Sequence, residues 1–243
     1  MQTVLALWRL ARSVVHVLHG MLVLLRFPAL SAAGRHERIR WWSAGLLQAI
    51  GMTLKVSGTP SAGATLLVAN HISWIDIAAI HAAAPHARFV SKSDVLRWPL
   101  LGWMIRSAGT LFIERERKRD AVRVVHAMAQ ALRAGDTVAV FPEGTTGTGP
   151  ELLPFHANLL QAAVATGTPV QPVVLRFADA SQAHSAAVVY IGQTTLLQSM
   201  WRVASARGLH AHVELLPSVA SADTDRRALA AHLHALIQER LGA

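Results

Sequence analysis

Two short stretches of the 243-residue chain hold residue types that can move a proton and grip an anion. In Leu66-Leu67-Val68-Ala69-Asn70-His71-Ile72-Ser73-Trp74-Ile75-Asp76 an apolar run gives way to an imidazole and, five residues on, a carboxylate. Within one continuous helix that separation would turn the two side chains about 140° apart, and they would not cooperate. If Ser73 caps a helix and Asp76 takes its third position, the chain bends between them and the carboxylate faces back toward the imidazole. His71 is then a general base, with Asp76 fixing its tautomer and stabilising the imidazolium that forms during proton transfer. The bland alternatives are a capping acid bonded only to backbone amides and an ordinary turn histidine. The spacing alone is weak evidence, because the chain has thirteen histidines. Pairs such as His16/His19, His210/His212 and His232/His234 lack a carboxylate at metal-site spacing, and no metal site is expected.

The second stretch, Thr137-Val138-Ala139-Val140-Phe141-Pro142-Glu143-Gly144-Thr145-Thr146, again runs from an apolar strand into a turn. Gly144 allows close backbone approach to a ligand, and adjacent amides there suit a phosphate or a developing oxyanion. Pro-Glu-Gly is also good turn chemistry in any protein. Between the two stretches, Gly109 to Glu114 delivers Arg115 to a strand end, followed by Arg117, Lys118 and Arg119. One such Arg can clamp a phosphate through paired hydrogen bonds, while the others solvate a helix start.

These residues need strand ends to hold them. From Ala64 onward, β-rich runs alternate with helical patterns. Strands are expected at Thr65–Ala69, Arg88–Val90, Thr110–Ile113, Thr137–Phe141, Val170–Leu175, Val188–Ile191 and His212–Leu215. Helices are expected at Trp74–Ala83, Arg117–Arg133, Ala157–Thr166 and Asp225–Arg240. That alternation predicts an α/β fold, a mixed and mainly parallel sheet flanked by helices. Ahead of it, Val4 to Leu25 is mostly apolar but interrupted by Arg9, Arg12, His16 and His19. It suits a helix lying in the membrane interface or crossing it at a tilt, its Arg residues reaching phosphate head groups, better than a clean span, a signal peptide or a plain buried helix. His36 to Met52 repeats apolar residues at helical spacing, so two membrane-associated helices are expected over 1–56 and a catalytic domain over 57–243.

The composition is 52% hydrophobic and 15% charged, too apolar for disorder. Lys plus Arg exceed Asp plus Glu by 23 to 14, which points to anionic partners. Nucleic acid is disfavoured, because only three of those cations are Lys, one Tyr is present and no aromatic-rich strand offers a stacking platform. The absence of Cys excludes thiol catalysis and Cys-ligated zinc. A Gly-x-Ser-x-Gly hydrolase elbow and both glycine-rich nucleotide motifs are missing.

The order Asn70-His71-x4-Asp76, Gly109 to Arg115, Phe141-Pro142-Glu143-Gly144-Thr145, then Val170-Gln171-Pro172-Val173-Val174 resembles the four sequence blocks of the glycerolipid acyltransferase family. Lys92, Pro99 and Gly102 fit the same pattern. The resemblance implies transfer of a fatty acyl group from acyl-CoA or acyl carrier protein to a lysophospholipid hydroxyl, with no cofactor, metal or covalent acyl-enzyme. It assigns His71 and Asp76 to catalysis, and Arg115, Glu143, Gly144 and Thr145 to the phosphate-bearing acceptor. Glu143, which cannot bind phosphate while ionised, is expected to hold Arg115 or a loop amide. Pro172 is expected to shape a strand end near the acyl chain. The acceptor implied first is 1-acyl-sn-glycerol-3-phosphate. Thr146 stands where members often carry Arg, and Phe155-His156-Ala157-Asn158 where Phe-Lys-x-Gly is common, which resembles a branch acting on lyso-ornithine lipid. Location at the inner membrane, with the catalytic domain facing the cytoplasm, follows from lipid substrates and a thioester donor. The seven Arg or Lys residues before Ser57, against one acid, Glu37, suit that leaflet. A non-enzymatic membrane scaffold would explain the charge but not the polar residues gathered at strand ends.

Overall fold

A computed structural model describes residues 2–92, 101–107, 109–113 and 118–242. Helices α1 (Gln2–Leu24) and α2 (Ala32–Ala49) precede seven strands: β1 (Met52–Ser57), β2 (Thr65–Ala69), β3 (Ala87–Lys92), β4 (Leu111–Ile113), β5 (Thr137–Val140), β6 (Val170–Ala178) and β7 (Leu209–Leu215). They form one sheet in the order β1-β7-β6-β2-β5-β3-β4. Every neighbouring pair is parallel except β6–β7. The connecting helices are α3 (Ile75–Ala83), α4 (Leu101–Ser107), α5 (Lys118–Arg133), α6 (Gln161–Thr166), α7 (Leu196–Ser205) and α8 (Arg226–Leu241). The expected mixed, mainly parallel α/β architecture is what the chain adopts.

Both faces of the sheet are covered, which is why its central strands read as unbroken apolar runs. On one face Leu67, Ala69, Val173 and Leu175 pack against α2, α3 and α7 through Leu47, Ile80 and Val203. On the other, Leu66, Val68, Val140 and Val174 meet Met128 of α5, Ala163 of α6 and Leu233 of α8. Complete burial of a side chain such as Leu66 or Ile80 contributes about 2 kcal/mol each. Reversal of strand order around β2 leaves the C-terminal ends of β2 and β5 side by side, Val68 opposite Val140, where such sheets place their sites.

Two expectations are corrected. The second helix stops at Ala49, Gly51 turns the chain at φ +92°, and Met52–Ser57 becomes the edge strand paired with β7. The expected boundary at 56/57 therefore falls inside a strand of the sheet. Val188–Ile191 is not a strand. It is irregular, with Tyr190 N–H bonded to the carbonyl of Ile72 at 3.2 Å; Val188 and Val189 fill core space rather than a ladder, and Ile191 is exposed.

Helix α1 is long and apolar enough to cross a membrane, yet Arg9 and His16 turn toward the protein while Arg12 and His19 stay exposed. Arg9 donates to the carbonyls of Ala204 and Ala206 at the end of α7, satisfying acceptors a helix terminus leaves open. This corrects the expected reach of Arg9 to lipid phosphates, whereas Arg12 is exposed. His16 Nε2 donates to the carbonyl of Trp42 in α2 at 2.8 Å. Gly20 admits the Trp42 ring, since a Cβ there would lie 2.2 Å from Nε1. The outward side, Val4, Leu7, Trp8, Val14, Val15, Leu18 and Leu22, is apolar and exposed.

Candidate active site

Strand β2 ends on Ala69, and Asn70 completes it with a side chain. Its Nδ2 donates to the carbonyl of Leu175 at 2.9 Å and its Oδ1 accepts from the Leu175 amide at 2.7 Å, a side-chain copy of one more ladder pair. The next residue, His71, is thereby placed at the sheet's C-terminal edge.

His71 Nδ1 donates to Asp76 Oδ2 at 2.8 Å. The same oxygen accepts from the amides of Ile72 at 2.6 Å and Ser73 at 2.9 Å. Asp76 is fully buried, and its Oδ1 has no partner among the described residues. It is therefore both the backbone-capping acid and the imidazole's partner, two roles the sequence set against each other. Ser73 is not the side-chain cap expected. Trp74 holds the N-cap position without a cap bond, and the buried Ser73 hydroxyl has no partner among the described residues, while the Asp76 carboxylate takes the two amides that precede the helix. With Nδ1–H committed to Asp76, Nε2 carries the lone pair. It has no hydrogen-bond partner among the described residues, and the side chain is 20% exposed.

The second turn fixes the backbone of the first. Glu143 Oε1 accepts from the His71 amide at 2.7 Å, and Oε2 from Leu153 N–H at 2.9 Å. Gly147 N–H donates to the His71 carbonyl at 2.7 Å. Burial pushes the Glu143 carboxyl above its ordinary range, and the two amides pull it back. Its contact with a loop amide is one of the two partners expected for it. The other, Arg115, lies outside the described residues together with Arg117 and Pro99.

Gly144 adopts φ +71°, and a Cβ there would sit 2.9 Å from Cδ2 of His156. Its amide closes the turn on the carbonyl of Phe141 at 3.1 Å, so that donor is not free for an anion as expected. Thr145 is exposed beside it, while the Thr146 hydroxyl donates to the carbonyl of Tyr190. Pro172 is the third residue of nine-residue β6, buried opposite Val68, and does not shape a strand end. It precedes the first β6–β7 pair, Val173–Leu215, so its missing N–H breaks no ladder bond on that flank. Gly147 and Tyr190 were not singled out from the sequence, and Asn70 and Phe141, whose ring lies flat on His71, stood in its motifs without a role. Their signals were the polar Asn70 before the histidine and Phe141 at the head of the Pro-Glu-Gly turn.

A buried carboxylate, an imidazole with a free accessible nitrogen and a rigid double turn can take a proton from a hydroxyl. Residues 53–176 match the sequence profile of the Acyltransferase family. Over 206 residues the chain is 36% identical to a lyso-ornithine lipid O-acyltransferase of Pseudomonas aeruginosa, covering 84% of this chain and 79% of that protein. Over 188 residues it is 36% identical to a 1-acyl-sn-glycerol-3-phosphate acyltransferase of Neisseria meningitidis, covering 75% and 72%. The crystal structure of the 1-acyl-sn-glycerophosphate acyltransferase PlsC from Thermotoga maritima shares the fold, with a TM-score of 0.75 at 20% identity over 99% of this chain and 96% of that one. With the profile spanning half its length and these relatives matched over most of theirs, the chain belongs to the acyltransferase family.

Proposed function

We propose that this acyltransferase moves a fatty acyl group from an acyl-CoA or acyl-carrier-protein thioester to the free hydroxyl of 1-acyl-sn-glycerol-3-phosphate, forming phosphatidic acid. The observation that carries the reading is His71, with Nδ1 bound to a buried carboxylate and Nε2 open. His71 Nε2 takes the hydroxyl proton as the acceptor oxygen attacks the thioester carbonyl. Asp76 stabilises the imidazolium. Collapse of the tetrahedral intermediate breaks the C–S bond, and the imidazolium returns its proton to the departing sulfur. Glu143 and Gly147 hold the His71 backbone in register throughout, and Gly144 and Thr145 border the acceptor.

A second acceptor, lyso-ornithine lipid, is favoured by one observation. Thr146, where members often carry Arg, spends its hydroxyl on the carbonyl of Tyr190 and brings no cation. The Pseudomonas relative bears that name. Purified protein given labelled acyl-CoA, or acyl carrier protein, with each acceptor decides between them. Product with lysophosphatidate supports the first reading, product only with the ornithine lipid supports the second, and none with either donor overturns both.

The outward apolar stripe of α1 and the basic N-terminal segment support attachment to the cytoplasmic face of the inner membrane, α1 lying flat with Arg9 on α7 and His16 on α2.

A further inference from the structure

The ring stacked on His71 has no part in the proton-transfer scheme. Phe141, the first residue after β5, lies with its centroid 4.0 Å from that of the imidazole and its plane 10° from parallel. Phe89 of β3 backs it at 5.7 Å and 23°. Behind Phe89, the buried His81 of α3 meets it edge-on at 4.9 Å and 87°, and His81 Nε2 is anchored to the carbonyl of Ala87 at 3.0 Å. Four rings thus run from a fixed point in the core to the imidazole.

Two consequences follow from this geometry. The bond from Nδ1 to Asp76 restrains one edge of the imidazole but leaves tilting about the Nδ1···Oδ2 line open, and a flat aromatic wall against one face closes that freedom. The near-parallel stack also sets the π face of Phe141 directly against the imidazole. The same π face attracts a cation. The stack therefore favours the imidazolium over the neutral imidazole, which is selective stabilisation of the state proton transfer creates.

We propose that Phe141 is a positioning residue, acting through His71 to hold the imidazole plane and stabilise its protonated form. The proposal rests on His71 being the base. Phe141→Leu removes the flat π face, and Phe141→Tyr retains it. The expected result is a kcat about 10-fold lower for Phe141→Leu, KM for both substrates within about twofold of the parent, and near-parental kcat for Phe141→Tyr. In protein carrying 13C-labelled histidine, the upfield ring-current displacement of the His71 ring protons is lost in Phe141→Leu and kept in Phe141→Tyr. Phe141→Met serves as the truncation if the Leu variant does not fold. Parental kcat in the truncation, a loss confined to KM, a tyrosine variant as slow as the leucine one, or unchanged His71 proton shifts would each overturn the proposal. His71→Ala, assayed in parallel, separates the two ideas: full activity in that variant defeats the base assignment itself.

Discussion

Three atoms from two turns converge on His71: Asp76 Oδ2 on its ring, Glu143 Oε1 on its amide and Gly147 N–H on its carbonyl. Asp76→Asn can keep its oxygen under the three donors, so the fold is expected to survive while the stabilisation of the imidazolium is lost. A fall in kcat of about 10²-fold or more with little change in melting temperature is the expected outcome, read by steady-state kinetics beside a thermal melt. Glu143→Gln behaves differently. One amide oxygen replaces two carboxylate oxygens, and its NH2 must face either the His71 or the Leu153 amide, so stability falls by about 1–3 kcal/mol along with activity. Denaturant unfolding measures that loss. At this scale the sequence was informative wherever a local bend decides the geometry, as between His71 and Asp76. It was silent wherever contact depends on strands meeting. The Glu143–His71 bond joins residues 72 apart, and the Phe141 stack exists only because β2 and β5 are neighbours.

Turns and helix contacts carry the next level. Gly144 needs its positive φ and has His156 against the place a Cβ would take, so Gly144→Ala costs about 1 kcal/mol or more and displaces the turn bearing Glu143. The expected signature is a lower melting temperature together with a lower kcat. Arg9→Met removes two bonds to the last carbonyls of α7 and is expected to lower stability by about 1–3 kcal/mol, with α1 becoming the first segment cut by protease. Elements with a clear period were legible, and the central strands and α8 lie close to where apolar runs and capping residues put them. Edge strand β1 was not. Met52, Leu54 and Val56 alternate with polar residues, but the run follows a helix after only a two-residue turn and continues its apolar pattern. Val188 and Val189 read as a strand because burial, rather than pairing, selects their type.

For the whole molecule, buried imidazoles set the response to acid. His81 is pushed down to about 4 by burial, and burial also lowers His86 and His212. A folded-state pKa below that of the unfolded chain means the unfolded chain binds protons first, so stability falls as pH drops from about 6.5 toward 4. His81 alone accounts for about 3 kcal/mol of that loss. Glu143, whose pKa is raised, acts in the opposite sense and offsets part of it in the carboxylate range. His81→Gln is expected to flatten the pH dependence of the unfolding midpoint. The net charge of +9 and the exposed stripe on α1 predict flotation with anionic vesicles that weakens with salt and is lost on Leu7→Glu/Val15→Glu. Fold class was legible at this scale from the strand–helix alternation, whereas docking of α1 through Arg9 and His16 was not, because both read equally well as lipid-facing. Acyl transfer by purified wild-type protein and by His71→Ala of matched melting temperature tests directly whether His71 takes the acceptor's proton. Acylated lysolipid from the wild type and a rate lower by about 10²–10⁴-fold in the variant are expected; equal rates from the two proteins would show that His71 is not the base.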